Sequence, residues 1–164
     1  MPDSVDAVLS DWARISPELD VAPVAVIARL GRVRAQIEKR LDAVYAAHGI
    51  SAGDFAALSI LWRAGEAGCP MGALADSLYL TGGTVSVRVT RLVERGWAQV
   101  SPSPADARTR VVAATGEGRR LFAAVLPEHL RVEHESLAAL SESERRRLAA
   151  LLGKLLTAME QDGS

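Results

Sequence analysis

Apolar residues recur at three- and four-residue steps over most of the chain, the spacing of helices with one buried face. Ile27, Leu30, Val33, Ile37, Leu41 and Val44 mark a long helix from about Pro23 to Ala47, and Gly49 is a natural stop after it. Leu148, Leu151, Leu152, Leu155, Leu156 and Met159 form one stripe of a last helix, which Ser141 and Glu144 open as a capping box. Ser4 is expected to cap a first helix through about Ile15, with Val5, Val8, Leu9 and Trp12 on one face and Pro17 beyond its end. Ser51 with Asp54 reads as the capping pair of a helix through about Ala64. Residues 65–70 read as a loop, and Pro70 begins a short helix carrying Met71, Leu74, Ala75 and Leu78. Thr81 caps the next helix and Gly96 closes it. Trp97 to Val100 and Thr109 to Ala113 read as two strands around a turn at 101–107. Thr115 caps a helix that Pro127 is expected to kink, since proline removes an i→i−4 bond.

The order is helices, a helix-turn-helix, a hairpin, and helices again. This predicts a mainly α fold with a small β-hairpin wing: a winged helix-turn-helix lobe at about 50–114, flanked by dimerisation helices at about 1–48 and 115–160. The stripes at the two ends are wider than one small lobe can bury. A second copy of the chain is the simplest cover for them, so a homodimer is expected.

At 164 residues the chain makes one domain with helical extensions. Its net charge of −1 argues against a protein that coats nucleic acid by charge alone. The charge is uneven, however. Asp3, Asp6, Asp11, Glu18 and Asp20 face the single Arg14 near the start, whereas Arg88, Arg91, Arg95, Arg108, Arg110, Arg119 and Arg120 crowd residues 81–120. Local basic density is the electrostatic footprint of a DNA-binding surface. One cysteine permits no internal disulfide and suits a reducing cytoplasm. The acidic start is no signal peptide, and no run approaches the roughly 20 apolar residues of a membrane span.

The helix after Thr81 can be read by angle. Val85, Val89 and Leu92 cluster on its buried side. Gly83, Val87, Thr90 and Arg91 point away, with Thr84 and Ser86 on the flanks. These residues can donate to bases or phosphates or touch a thymine methyl, and Arg91 is the foremost candidate for a base or phosphate contact. Arg88 falls about 70° from the centre of the apolar face, beside the core, where a sensing or structural role is expected. In the hairpin, Asp106, Arg108 and Arg110 supply the basic tip that can reach an adjacent groove.

Other chemistry is sparse. Cys69 has nothing basic beyond Arg63 near it in sequence to activate its thiol. His129 and Glu133 stand four apart, but no Cys/His cluster completes a metal site, and a solvated helix face is the simpler reading. His48 sits near a helix end, where its charge is favourable. No nucleophile–base pattern, phosphate loop or dinucleotide fingerprint appears, so no enzyme, metal or cofactor is expected.

The stretch Met71-Gly-Ala-Leu-Ala-Asp-Ser-Leu with Thr81-Gly-Gly-Thr-Val-Ser-Val-Arg-Val-Thr-Arg-Leu-Val-Glu-Arg-Gly, and the wing Asp106-x-Arg108 followed by Thr115-x-x-Gly118, resemble the MarR family of bacterial transcriptional regulators. The resemblance implies a winged helix-turn-helix domain over residues 22–157, an obligate homodimer and a palindromic DNA operator. It also implies a wing arginine in the minor groove that an aspartate helps to hold, and often a small phenolic or anionic effector that releases DNA. The most direct expectation is a ligand-responsive repressor. The alternative is a small-molecule sequestering protein on the same scaffold. Asp11-Trp12-Ala-Arg14 is similar to the added first helix of the urate-responsive branch, which implies Trp12 and Arg88 as effector-binding residues. Two further charged positions of that branch correspond to Ala56 and Val100, which points to an anionic aromatic effector other than urate.

Overall fold

The computed structural model describes residues 2–106 and 108–162, so Ala107 at the expected wing turn lies outside the described residues. The elements run α1 (Ser4–Ile15), α2 (Ala22–Ala47), α3 (Ala52–Arg63), β1 (Cys69–Pro70), α4 (Met71–Ser77), α5 (Gly82–Glu94), β2 (Ala98–Pro102), β3 (Arg110–Ala114), α6 (Gly116–Ser136) and α7 (Glu142–Asp162). The architecture is mainly helical with a small antiparallel sheet, as the periodicity predicts.

Three local expectations are corrected. Asp3, not Ser4, caps α1: its carboxylate accepts from the Val5 and Asp6 backbones, while Asp6 reaches back in a capping box. The strands start one residue later than read, and β2 runs on to Pro102. The hairpin also gains a third strand, in the order β1-β3-β2, because Cys69 and Pro70 pair with Val112 and Val111. Two residues, the second a proline, carry too little pattern to be recognised as a strand; β3 creates it by offering a free edge. As expected, α6 carries Pro127 inside one continuous helix.

The core lies where α3, α4, α5 and β3 meet, with Leu58, Leu61, Leu74, Val85, Leu92 and Val112 essentially sealed from solvent. A ring cluster joins it to α2 and α6. His129 stacks on Phe55 with centroids 4.4 Å apart, Tyr45 stacks on Phe55 at 5.0 Å, and Phe122 lies between Phe55 and Trp62. The Tyr45 hydroxyl meets His129 Nδ1 at 2.8 Å. Burial, with the Glu133 and Asp42 charges adding to it, pushes the Tyr45 phenol up to about 12. The expected solvated face at His129 is therefore a packed one. Glu133, 3.1 Å from His129 Nε2, holds the ring's outer edge.

Gly118 explains the Thr115-x-x-Gly118 pattern. Thr115 caps α6 by accepting from Gly118 N at 3.1 Å, and its own hydroxyl donates to Gly96 O at 2.6 Å. This draws the first turn of α6 onto the Trp97 backbone so closely that a Cβ at position 118 would overlap the Trp97 carbonyl. Gly118→Ala is expected to lower stability by about 1–3 kcal/mol, the usual cost of overpacking a site that backbone lines. Urea unfolding checks it, and an unchanged midpoint would show that α6 lifts freely off the sheet.

The two ends of the chain are a different matter. No residue of α7 is buried among those described. Leu151, Leu152, Leu155, Leu156 and Met159 face outward, as do Val26, Ile27, Leu30 and Val33 of α2. A cavity of about 480 Å³ opens between the two helices and is lined by apolar residues from Pro23 to Met159. No single helix among the described residues is long and apolar enough to cross a membrane.

Candidate nucleic-acid interface

The helix-turn-helix consists of α4 and α5. Between them the Tyr79 backbone takes a left-handed conformation, φ 53°, and the Leu80 and Tyr79 N–H groups donate to Ala75 O and Asp76 O, both at 3.0 Å. Such a turn closes the last carbonyls of α4 and usually carries glycine. Here it carries a tyrosine that is 85% exposed.

Thr81 then caps α5, accepting from Thr84 N at 3.3 Å and sharing a 2.9 Å bond with the Thr84 hydroxyl. Val85, Val89 and Leu92 are buried, as their angle requires, which fixes what the rest of the helix shows to solvent. Gly83, Thr84, Val87 and Thr90 lie on the exposed side, with Val87 74% exposed. Nothing stands within 4 Å of where a Cβ on Gly83 would be, so the first turn presents bare backbone. Ser86 is also exposed, but its hydroxyl donates to Gly82 O at 2.9 Å.

The arginines behave differently from the small residues. Arg88, Arg91 and Arg95 are spaced i, i+3, i+7 and share one flank of α5. That flank lies against the junction of α2 and α3. Arg95 donates to Gly49 O at 2.7 Å and rests over the Trp97 ring, 5.0 Å from its centroid. Arg91 Nη2 donates to Ser51 Oγ at 3.1 Å and pairs with Asp54 Oδ1. The Arg88 guanidinium lies over Gly53, where any Cβ would displace it, and it has no ion pair among the described residues.

Asp54 is the only charged residue that is buried among those described. Its Oδ2 takes the Ser51 N–H at 3.0 Å and the Ser51 hydroxyl at 2.8 Å, which is the capping box; its Oδ1 is left for Arg91. Burial alone raises such a carboxyl. The Ser51 donors and then the Arg91 guanidinium outweigh it, leaving Asp54 below its ordinary value. Sequence reading found Asp54 as a cap and missed it as an ion-pair partner. The available signal was the arginine spacing, which puts three cations on one flank and so asks what faces them.

The wing is built on the β2–β3 pair. Asp106 accepts from the Arg108 N–H at 3.0 Å and the Thr109 hydroxyl at 2.9 Å, and these bonds hold its carboxyl below the usual range. It thus braces the backbone of the tip, and no carboxylate pairs with the Arg108 guanidinium among the described residues. Arg110, exposed at the start of β3, lines a cavity of about 590 Å³ shared with Ser86, Thr90 and Glu94 of α5. Recognition helix and wing are therefore continuous on one side.

The proposed effector pair is not joined in the same way. Trp12 lies on α1, which packs on α2, and is 40% exposed, whereas Arg88 lines a cavity with Gly83, Thr84, Val87 and Arg91 that does not include Trp12. Ala56 and Val100 are half-buried. Cys69 is held in β1, and burial pushes its thiol up, away from the reactive thiolate.

Residues 48–109, the stretch holding α3 to the wing tip, match the model of the MarR family. The regulator PecS of Dickeya dadantii, an HTH-type transcriptional regulator, is 33% identical over 152 residues, 92% of this chain and 92% of PecS. The chain belongs to the MarR family. Solved structures of MarR proteins share the fold. A mutant MarR from E. coli complexed with operator DNA superposes with a TM-score of 0.73 at 24% identity, covering 88% of this chain and 97% of that one. BpsR of Bordetella bronchiseptica, whose DNA binding is regulated by 6-hydroxynicotinic acid, superposes with a TM-score of 0.70 at 24% identity over 78% and 90%. It is a MarR-family transcriptional regulator.

Proposed function

We propose that the protein is a ligand-responsive repressor that binds a palindromic operator as a homodimer, in the cytoplasm where that DNA lies. The observation that carries this reading is the cavity that Arg110 of the wing shares with Ser86 and Thr90 of α5, beside the exposed Thr81, Gly83, Thr84 and Val87; Asp106 and Arg108 at the wing tip extend the same proposed surface. The helix offers small groups that allow close approach to base edges, and the wing offers a neighbouring groove guanidinium groups that have no carboxylate partner among the described residues. The exposed apolar stripe of α7 and the apolar face of α2 supply the second copy's seat. Selection of DNA by the purified protein tests the reading. It should return a dyad with half-site centres about 10 base pairs apart, one helical turn, so that both α5 helices enter major grooves on one face. A single asymmetric half-site is the contrary result.

The effector is an anionic, aromatic-sized molecule that draws on Arg88 for its countercharge and on Trp12 for a stacking surface. Arg91 and Arg95 are already bonded to protein acceptors, whereas Arg88 has no carboxylate partner among the described residues. The regulation of BpsR by an aromatic carboxylate supports the same class. Such a ligand must bind the DNA-free arrangement more tightly, since only differential affinity moves an equilibrium. A compound of this class should weaken the operator complex by about 5–150-fold, the usual span of allosteric coupling. Arg88→Ala should remove most of that effect. Release that is unchanged in both Arg88→Ala and Trp12→Ala would place the site elsewhere.

A further inference from the structure

Arg91 is the arginine that points most toward the DNA side of α5, yet its guanidinium is committed to α3. A guanidinium has two forked edges, Nε/Nη2 and Nη1/Nη2, and both include Nη2. The usual arginine contact to guanine is bidentate, to O6 and N7, and needs one complete fork. In this structure Nη2 donates to both Ser51 Oγ and Asp54 Oδ1, so each fork has lost one prong.

The commitment is hard to undo. Asp54 has a side chain only 3% exposed, while Arg91 remains 45% exposed. Drawing Arg91 onto DNA leaves a carboxylate that water does not reach, supported by Ser51 alone. Breaking a buried pair on one side costs far more than a surface pair is worth. The flanking contacts act in the same sense, with Arg95 on Gly49 O and Arg88 on Gly53.

We propose that Asp54 is a positioning residue of the DNA interface: it withdraws Arg91 from base reading and uses it to seat α5 on the first turn of α3. Base discrimination then falls to the small exposed residues Gly83, Thr84, Val87 and Thr90. The Asp54–Arg91 pair is close to neutral from outside, so Arg91 releases no counterion when DNA binds. This inference rests on the DNA-binding reading above.

The test measures affinity for the selected operator and for a panel in which each base pair is changed in turn, at several salt concentrations. The proteins are wild type, Arg91→Ala, Arg91→Lys and Asp54→Asn, each as the full-length chain. Arg91→Ala should lose about tenfold on every operator alike, the loss of a hydrogen bond to a charged group. Its ranking of base pairs and its slope of log affinity against log salt should match wild type. Arg91→Lys should recover most of the loss, because an ammonium can still donate to Asp54 and Ser51 but cannot form a fork. Asp54→Asn should steepen the slope by about 0.9 for each freed arginine that meets a phosphate. Loss of discrimination at one base pair in Arg91→Ala would make Arg91 a base reader and overturn the proposal. So would a slope lowered by about 0.9 in that variant, or a wild-type slope in Asp54→Asn. If wild type itself selects no DNA, the functional reading fails first and this proposal falls with it, a result distinct from any of the others.

Discussion

Replacing Leu152 and Leu156 together by aspartate is expected to leave a monomer that no longer holds its operator. The two side chains are 38% and 56% exposed in the single chain, on a helix with no buried residue among those described. Covering a leucine contributes about 1.5–3 kcal/mol, and two-fold symmetry counts each position twice. About half of each leucine is left to cover, so the double change removes about 3–6 kcal/mol before any charge is desolvated, roughly two to four orders of magnitude in the dimer dissociation constant. Sedimentation at micromolar concentration reads the outcome directly. The winged lobe should keep its own unfolding signal, because α7 contributes nothing to the core around Leu58 and Leu92. Operator affinity should collapse in the same variant, since one half-site gives up the contacts of the other. A double variant that stays dimeric would show that α7 is not the seat of the second copy.

The wing is the other place where a single side chain should matter greatly. Arg108→Ala is expected to weaken binding by about 1–3 kcal/mol per protomer if the guanidinium enters a groove. The loss should be spread over most sequences. The slope of log affinity against log salt should fall by about 0.9 for each protomer, the value for one lost phosphate neutralisation. Asp106→Ala should mimic part of this without removing a cation. The carboxylate braces the tip through the Arg108 N–H and the Thr109 hydroxyl. Because its folded-state value lies below the ordinary carboxylate range, that brace is in place above this range and is lost as pH falls through the depressed value. Affinity and slope at wild-type values in Arg108→Ala would mean that the wing does not touch DNA.

The contrast between Arg108 and Arg91 shows how far residue type goes. Both are exposed arginines in a basic stretch, and both read alike in sequence. Among the described residues Arg108 has no carboxylate partner, whereas Arg91 is bonded to a buried one 37 positions earlier in the chain. No local pattern links the two positions. The capping box at Ser51 marks Asp54 as half used, but it cannot reveal which element lies opposite the second oxygen.

Properties that depend on neighbours along the chain are legible in the order of residues alone. Helix positions follow from three- and four-residue apolar spacing, and most of their starts from side-chain caps at Ser51, Thr81, Thr115 and Ser141. The inward face of α5 follows from the angles of Val85, Val89 and Leu92. The family resemblance rests on the same local runs. The remaining properties depend on which distant elements touch, and so were fixed by the folded arrangement. A two-residue strand at Cys69 and Pro70 exists because β3 presents an edge to it. His129 became part of a ring stack when α6 crossed Phe55 and Tyr45. Gly53 and Gly118 are small because a guanidinium and a carbonyl arrive there from elsewhere in the chain. The arginine flank of α5 took its meaning from the α2–α3 junction, where a buried carboxylate and a backbone carbonyl waited for cations.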